Sequence, residues 1–206
     1  MRANTTASGI LRAISAGDFE PGEQLVEVDM AKRFGVSRNT LREAFATLIA
    51  DGSLVRIKNR GVFIASPSAH DGQDLFLARA AIEPAAICWG SQHDVDKLAE
   101  LVSTAEWLLE RGNTDQVAEL NQRFHRQLVA GMGSGLLNET MDRLLAQMRL
   151  VFLQVLKKQP DFHDDYVESN RRLVDLMVEG KNAEAAALLH DSLVHTGQRI
   201  QELLEA

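Results

Sequence analysis

Cysteine is nearly missing. The 206 residues hold one, Cys88, so no disulfide can form within the chain, and a lone cysteine here is expected as a small core residue rather than a nucleophile. Long apolar runs are missing too. No segment approaches the ~18 uninterrupted apolar residues of a membrane-spanning helix. The first residues lack the apolar h-region of a signal peptide, so a cytoplasmic location without membrane contact is expected. There is no internal repeat and no low-complexity tract. Nor is there an overall excess of positive charge: 22 Lys/Arg face 29 Asp/Glu, a net −7, which over the whole chain argues against a nucleic-acid partner.

The charge is unevenly distributed, however. Residues 31–67 hold seven basic side chains (Lys32, Arg33, Arg38, Arg42, Arg56, Lys58, Arg60) against Glu43 and Asp51, a net +5. Residues 68–206 hold 13 basic and 22 acidic side chains, a net −9. A basic module is joined to an acidic one, and only the first suits a polyanion. The expected division is 1–67 and 70–206, with Ser66-Pro67-Ser68 as a join too short to act as a free tether.

Within the basic module the spacing is helical. Leu41, Ala44, Phe45, Leu48 and Ile49 fall on one apolar stripe. Ser37 suits the N-cap of that helix. Gly35 suits the left-handed stop of the helix before it, to which Met30, Ala31 and Phe34 supply apolar contacts. Two helices joined by Gly35-Val36-Ser37 fit a helix-turn-helix. Arg38, Asn39, Thr40 and Arg42 lie off the stripe in the first turn and a half, the part of a recognition helix that reaches base edges in the major groove. Arg can take two acceptors on guanine or clamp a phosphate, while Asn and Thr suit adenine, thymine or phosphate oxygens. Beyond them Val55 and Ile57 alternate with Arg56 and Lys58, and Val62 and Ile64 flank Phe63. Lys58-Asn59-Arg60-Gly61 forms the turn between two strands, with Gly61 tolerating positive φ. This hairpin is the expected wing, its basic tip set along phosphates or in the minor groove.

From Asp71 onward the pattern is helical throughout. Leu75, Ala78, Ile82, Ala85 and Trp89 mark a first helix, kinked near Pro84. Leu98, Leu101, Val102, Ala105, Leu108 and Leu109 mark a second, ending at Gly112. Leu120, Phe124 and Leu128 mark a third, closed by Gly131 to Gly135. The longest stripe runs from Leu137 through Met141, Leu144, Leu145, Met148, Val151 and Phe152 to Val155. Phe162, Tyr166, Leu173, Val174 and Met177 precede a stop at Gly180, and Leu189, Leu193, Ile200 and Leu204 mark the last helix. The expected fold is mainly α: an N-terminal winged helix-turn-helix with a small β-hairpin wing, then a C-terminal antiparallel bundle of six to seven helices able to hold a site between facing helices.

The run GDFEPGEQLVEVDMAKRFGVSRNTLREAFATLIADGSLVRIKNRGVFIASPS resembles the winged helix of GntR-family transcriptional regulators. The later LARAAIEPAA and LNQRFHRQL are similar to the FadR subfamily and its all-helical FCD domain, so the resemblance runs from about Ile10 to Ile200. It implies a homodimer on a pseudo-palindromic double-stranded operator, tightened or released by a small metabolite. It also implies that Arg38 and Arg42 are the main DNA contacts, with Thr40 and the Gly61 wing tip assisting.

The subfamily often carries a metal cage, with Asp and His four residues apart on one helix and one His on each of two later helices. The matching positions here are Asn121, His125, Asn170 and Ser192. His195, three residues after Ser192, could turn toward the same point. Only His125 is a strong ligand at a matching position, and Asn and Ser bind transition metals poorly. The expectation is therefore no metal cofactor, with weak binding at His125 left open, and a pocket that hydrogen-bonds a polar metabolite directly. Arg79 and Arg149 would favour an anionic effector, an organic acid, since a guanidinium matches a carboxylate bidentately. Arg79 and Glu83 also stand four apart and could be a structural ion pair. Two alternatives stay open: a DNA-binding protein with a vestigial pocket and no effector, and a metal-dependent regulator. An enzyme using His125 as a base lacks support, because no carboxylate or nucleophile recurs beside it at helical spacing.

Overall fold

Nine helices and three short strands appear among the residues described by the computed structural model, which are 2–160, 162 and 164–206. The first part of the chain runs α1 (Arg2–Ser15), β1 (Gln24–Leu25), α2 (Glu27–Phe34), α3 (Arg38–Ala50), β2 (Leu54–Ile57) and β3 (Gly61–Ile64). Local chemistry fixes the turn between α2 and α3. Gly35 stops α2 at φ 62°, and the Ser37 hydroxyl accepts the Thr40 N–H at 3.1 Å to cap α3. The three strands are antiparallel in the order β1-β3-β2, with Leu54 opposite Ile64 and Ile57 opposite Gly61. Two residues make the hairpin tip possible: Asn59 at φ 62° and Gly61 at φ 111°. The core beneath is apolar, built from Ile10, Ile14, Phe19, Leu25, Leu41, Phe45, Leu48, Leu54 and Ile64.

Two parts of this module departed from expectation. The first helix and β1 carry no signal that was read from the spacing. Val55 and Ile57, expected to alternate with their basic neighbours between core and solvent, are both exposed, at 41% and 38%. The hairpin projects beyond the core, so neither face of β2 is covered past Leu54.

Six helices follow: α4 (Ala69–Trp89), α5 (Val95–Leu109), α6 (Thr114–Ala130), α7 (Gly135–Lys158), α8 (Asp164–Val178) and α9 (Asn182–Glu205). α4 begins at a capping box in which Ser68 accepts the Asp71 N–H and the Asp71 carboxylate accepts the Ser68 N–H. Its buried face is rotated from the expected one. Gly72, Leu75, Phe76, Arg79, Ala80, Glu83, Ala86 and Ile87 point inward, whereas Trp89 is 76% exposed. Cys88, expected in the core, is exposed as well. The helix is apolar nearly all round, so hydrophobicity alone does not set its phase. Packing does: at Gly72 and Gly197 an added Cβ would come within 2.9 Å of Ile200 and of Phe76, so these two glycines let α4 and α9 lie close together.

α7 belongs to both cores. Met141, Leu145, Met148, Val151, Phe152 and Val155 pack in the bundle, while Ala146 and Leu150 complete the core of the N-terminal module. Polar contacts extend that second face. Gln147 Nε2 donates to the Asp51 carbonyl at 2.6 Å, and Arg143 lies 4.0 Å from the Asp51 carboxylate. Gln154 Nε2 donates to the Pro67 carbonyl at 3.0 Å, and Lys157 reaches Glu20 at 3.1 Å. Asp51 is the residue that ends α3, so α7 holds the far end of that helix.

Candidate nucleic-acid interface and ligand cavity

The capped start of α3 sets the geometry of the first candidate site. Leu41, Ala44, Phe45 and Leu48 are buried, which turns Arg38, Asn39 and Arg42 outward and leaves Thr40 half-buried. The side chains expected to act are therefore brought together on one exposed surface. Each also has a tether. Thr40 Oγ1 and Ser37 Oγ lie 2.9 Å apart, and Asn39 Nδ2 donates to Glu43 at 3.0 Å. Arg42 Nε donates to both carboxylate oxygens of Glu27, at 2.9 and 3.1 Å, and Arg38 Nη2 lies 3.7 Å from the same carboxylate. Glu27, near the start of α2, was not among the expected site residues, since nothing in the spacing ties it to α3. At the wing Lys58, Arg60 and Gly61 are all exposed, the Arg60 guanidinium lies over the Phe63 ring, and Gln24 Nε2 donates to the Arg60 carbonyl at 2.7 Å. The pattern is a cationic surface with rigid support, suited to a groove flanked by phosphates.

The second site is a small cavity of about 20 Å³ between α4, α6, α7, α8 and α9. Phe76, Phe152, Tyr166 and Leu193 make its apolar side; Arg79, Asn121, His125, Ser169, Asn170, Ser192 and Thr196 make its polar side. Five of the seven expected effector residues thus meet here. Arg149 and His195 do not. The Arg149 guanidinium packs against Gly17, in the turn after α1, and so faces the N-terminal module rather than the cavity. His195 is exposed, and Thr196, one residue on, takes the inward position on α9. A shift of one residue moves a helical side chain by about 100°, and the polarity of histidine gave no indication of which position faced inward.

A buried charge array lines the polar side. Arg79 Nε donates to Glu83 Oε1 at 2.6 Å, and His125 Nδ1 donates to Glu83 Oε2 at 2.6 Å. Arg79 is 1% exposed and Glu83 fully buried. Burial alone would raise Glu83, but the Arg79 guanidinium and His125 outweigh it and hold the carboxyl below the ordinary glutamate range. Burial holds His125 below the ordinary imidazole value, outweighing the attraction of Glu83. The imidazole is therefore neutral near pH 7. With its Nδ1 proton given to Glu83, Nε2 carries a lone pair that no described residue fills. Arg79 Nη1 points at the Met148 sulfur, and Arg79 Nη2 is buried with no hydrogen-bond partner. Across the cavity Asn170 Nδ2 donates to Asn121 Oδ1 at 2.7 Å, joining α8 to α6. The array presents one unfilled cationic donor and one unfilled acceptor.

The donor set does not suit a transition metal. Of the four cage positions only His125 offers a strong ligand. Asn121 and Asn170 are engaged with each other, and Ser192 is neutral. No group of three or more His, Cys, Asp or Glu placed to hold a metal ion occurs among the described residues. No helix among them is long and apolar enough to cross a membrane.

Comparison with known proteins follows the same division. The family model described as bacterial regulatory proteins, gntR family, matches residues 2–64, and that of the FCD domain matches residues 74–195. A putative transcriptional regulator from Rhodococcus sp. RHA1 has a similar crystal structure, with a TM-score of 0.83 and 31% identity over 97% of each chain. The uncharacterized HTH-type transcriptional regulator YdhC of Bacillus subtilis is 29% identical over 94% of this chain and 88% of its own. The Nta operon transcriptional regulator of Aminobacter aminovorans is 27% identical over 91% and 87%.

Proposed function

The chain belongs to the gntR family of bacterial transcriptional regulators, in its FCD-domain branch, and from that premise we propose an operator-binding homodimer controlled by a small organic acid in the bundle cavity. Arg38, Asn39, Thr40 and Arg42 read base edges in the major groove, and Lys58, Arg60 and Gly61 follow the phosphates at the wing. A pair of such modules meets a pseudo-palindrome with half-sites about one helical turn, ~34 Å, apart. Dimerisation is supported by the outward face of α4, where Leu77 and Trp89 stand exposed on a helix that is apolar on both sides.

One observation carries the effector reading: Arg79 Nη2 is buried, cationic and unpartnered at a cavity wall. A buried donor left empty costs about 1–3 kcal/mol, and more when charged, so the site gains by accepting a carboxylate oxygen. The neutral His125 Nε2 asks for the opposite, a hydroxyl that donates. A short hydroxy acid without a metal satisfies both, with its carbon skeleton against Phe76 and Phe152. The enclosed space is about 20 Å³, room for about one water molecule, so binding an acid requires the helices around it to part.

Titration calorimetry with a panel of short hydroxy acids and their neutral amides tests this reading. Wild-type protein is expected to bind an acid and not its amide. Arg79→Lys keeps a charge beside Glu83 but loses the forked donor, and should lose about tenfold in affinity. Equal affinity for acid and amide, or unchanged affinity in Arg79→Lys, removes Arg79 from the site. A stoichiometric transition ion in mass spectra of the native protein would overturn the metal-free reading.

A further inference from the structure

We propose that Glu27 is a positioning residue for DNA recognition: it buttresses Arg42 and Arg38 from behind and sets how strongly the protein prefers its operator over other duplexes. The inference rests on the reading of α3 as the recognition helix. A carboxylate on a surface meant for phosphates is unfavourable unless it does something there, because like charges repel. Its geometry supplies the reason. Glu27 is partly buried at the start of α2, and both of its oxygens take the Arg42 Nε–H. That side engagement leaves the two terminal nitrogens of Arg42 without a partner among the described residues, and those are the donors that fit guanine O6 and N7 together. Arg38 Nη2, at 3.7 Å, is held loosely toward the same carboxylate.

The consequence is selective. A guanine at the right step receives a fork already aimed at it, while Arg42 keeps its bond to Glu27. Phosphate-only contact on an unrelated duplex requires the guanidinium to swing away from Glu27, and brings phosphate toward a carboxylate that has lost its partner. Glu27 thus favours the right site and penalises the wrong one, which is how specificity is gained without added affinity. Asp29, two residues along α2, is exposed with no hydrogen bond or ion pair among the described residues, and so carries the same charge without the geometry.

The test begins with in vitro selection of a preferred duplex by the full-length wild type. Fluorescence anisotropy then follows binding to that duplex and to a scrambled one over a range of salt. Glu27→Gln and Glu27→Asp, the second keeping the charge but not the reach, should each lower the preference for the selected duplex by about tenfold, with scrambled-duplex binding equal or tighter. Asp29→Asn should tighten both duplexes alike and keep the preference. Thermal melts monitor folding in each variant. If Glu27→Gln and Glu27→Asp keep the wild-type preference within twofold, or Asp29→Asn loses as much, the buttress role is wrong while the recognition helix stands. If the wild type selects no duplex, the reading of α3 fails and this inference with it.

Discussion

Arg38 and Lys58 carry the same charge to the same side of the molecule but should fail differently when removed. Arg38 stands in the first turn of α3, where a guanidinium would meet a base edge in the proposed reading; Lys58 stands at the hairpin tip, where an ammonium would meet phosphate. Arg38→Ala should cost about 1–3 kcal/mol on the selected duplex and little on a scrambled one. Lys58→Ala should weaken both alike and reduce the salt slope by about one. Anisotropy titrations at several salt concentrations separate the two, and equal operator affinity for wild type and Arg38→Ala would refute its assignment. The buried array gives a second prediction, in pH. His125 is held below the ordinary 6.5 in the fold, so as pH falls past 6.5 the unfolded chain takes up a proton that the folded one resists. Glu83 is held below 4.5, so the unfolded chain again binds more protons below that pH. Both signs agree: stability is full above about 6.5 and falls as the solution becomes acidic. Melting temperature measured from neutral to acid pH should show this decline, and His125→Gln should lose its first part. At this scale the sequence was uneven evidence. Arg38, Asn39, Thr40 and Arg42 were legible because a cap and an apolar stripe fixed their phase. Glu27 was not, because its role depends on how α2 crosses α3, which no local spacing encodes.

Among the elements, α4 shows most plainly where pattern reading stops. Its expected stripe of Leu75, Ala78, Ile82, Ala85 and Trp89 has a sound helical period, yet the buried stripe includes Arg79 and Glu83 instead of Trp89. An apolar residue is a poor phase marker on a helix that is apolar on both sides, and a buried ion pair is invisible to hydrophobicity. The i,i+4 spacing of Arg79 and Glu83 was visible in the sequence; that both heads would be enclosed was not. α3, by contrast, has a polar outer face and could be phased from sequence alone. What fixes α4 is its close passage along α9, permitted by Gly72 and Gly197. This makes Gly197 a test of the contact. Alanine there would gain about 1 kcal/mol of helix propensity, but its Cβ would sit 2.9 Å from the Phe76 Cβ, a backbone-proximal atom that cannot swing aside. Overpacking of this kind costs about 1–3 kcal/mol, so Gly197→Ala should be neutral to mildly destabilising. Gly197→Val, bulkier and a weaker helix former, should lose about 2–4 kcal/mol by chemical denaturation. A stabilised Gly197→Val would show that the two helices separate more readily than their packing implies.

For the whole molecule the proposed function raises the question of how a ligand in an acidic bundle would reach a basic module bound to DNA. α7 offers a direct route, since its two faces serve the two cores. Met148 and Phe152 meet the charge array and the cavity. One residue before Met148, Gln147 holds the carbonyl of Asp51 at the end of α3, and Ala146 and Leu150 sit in the N-terminal core. Pressure on Met148 and Phe152 that turns α7 must therefore move the seat of α3. In the proposed dimer, a ligand that favours one seating would shift the population competent for operator, with a coupling typically of about 1–3 kcal/mol. Linkage makes the effect reciprocal: operator must change the affinity for the acid by the same factor as the acid changes the affinity for operator. Gln147→Ala should weaken the coupling without weakening the cavity, because Gln147 is not part of its lining. Calorimetry on the DNA-free variant should then give wild-type affinity for whichever acid binds the wild type. The ratio of operator affinities with and without that acid should move toward one, by roughly two- to fivefold for the loss of one hydrogen bond of about 0.5–1 kcal/mol. An unchanged ratio would mean that the signal passes through the Ser66–Ser68 join and the capped start of α4 instead, and Gln154, which holds the Pro67 carbonyl, would be the residue to alter next.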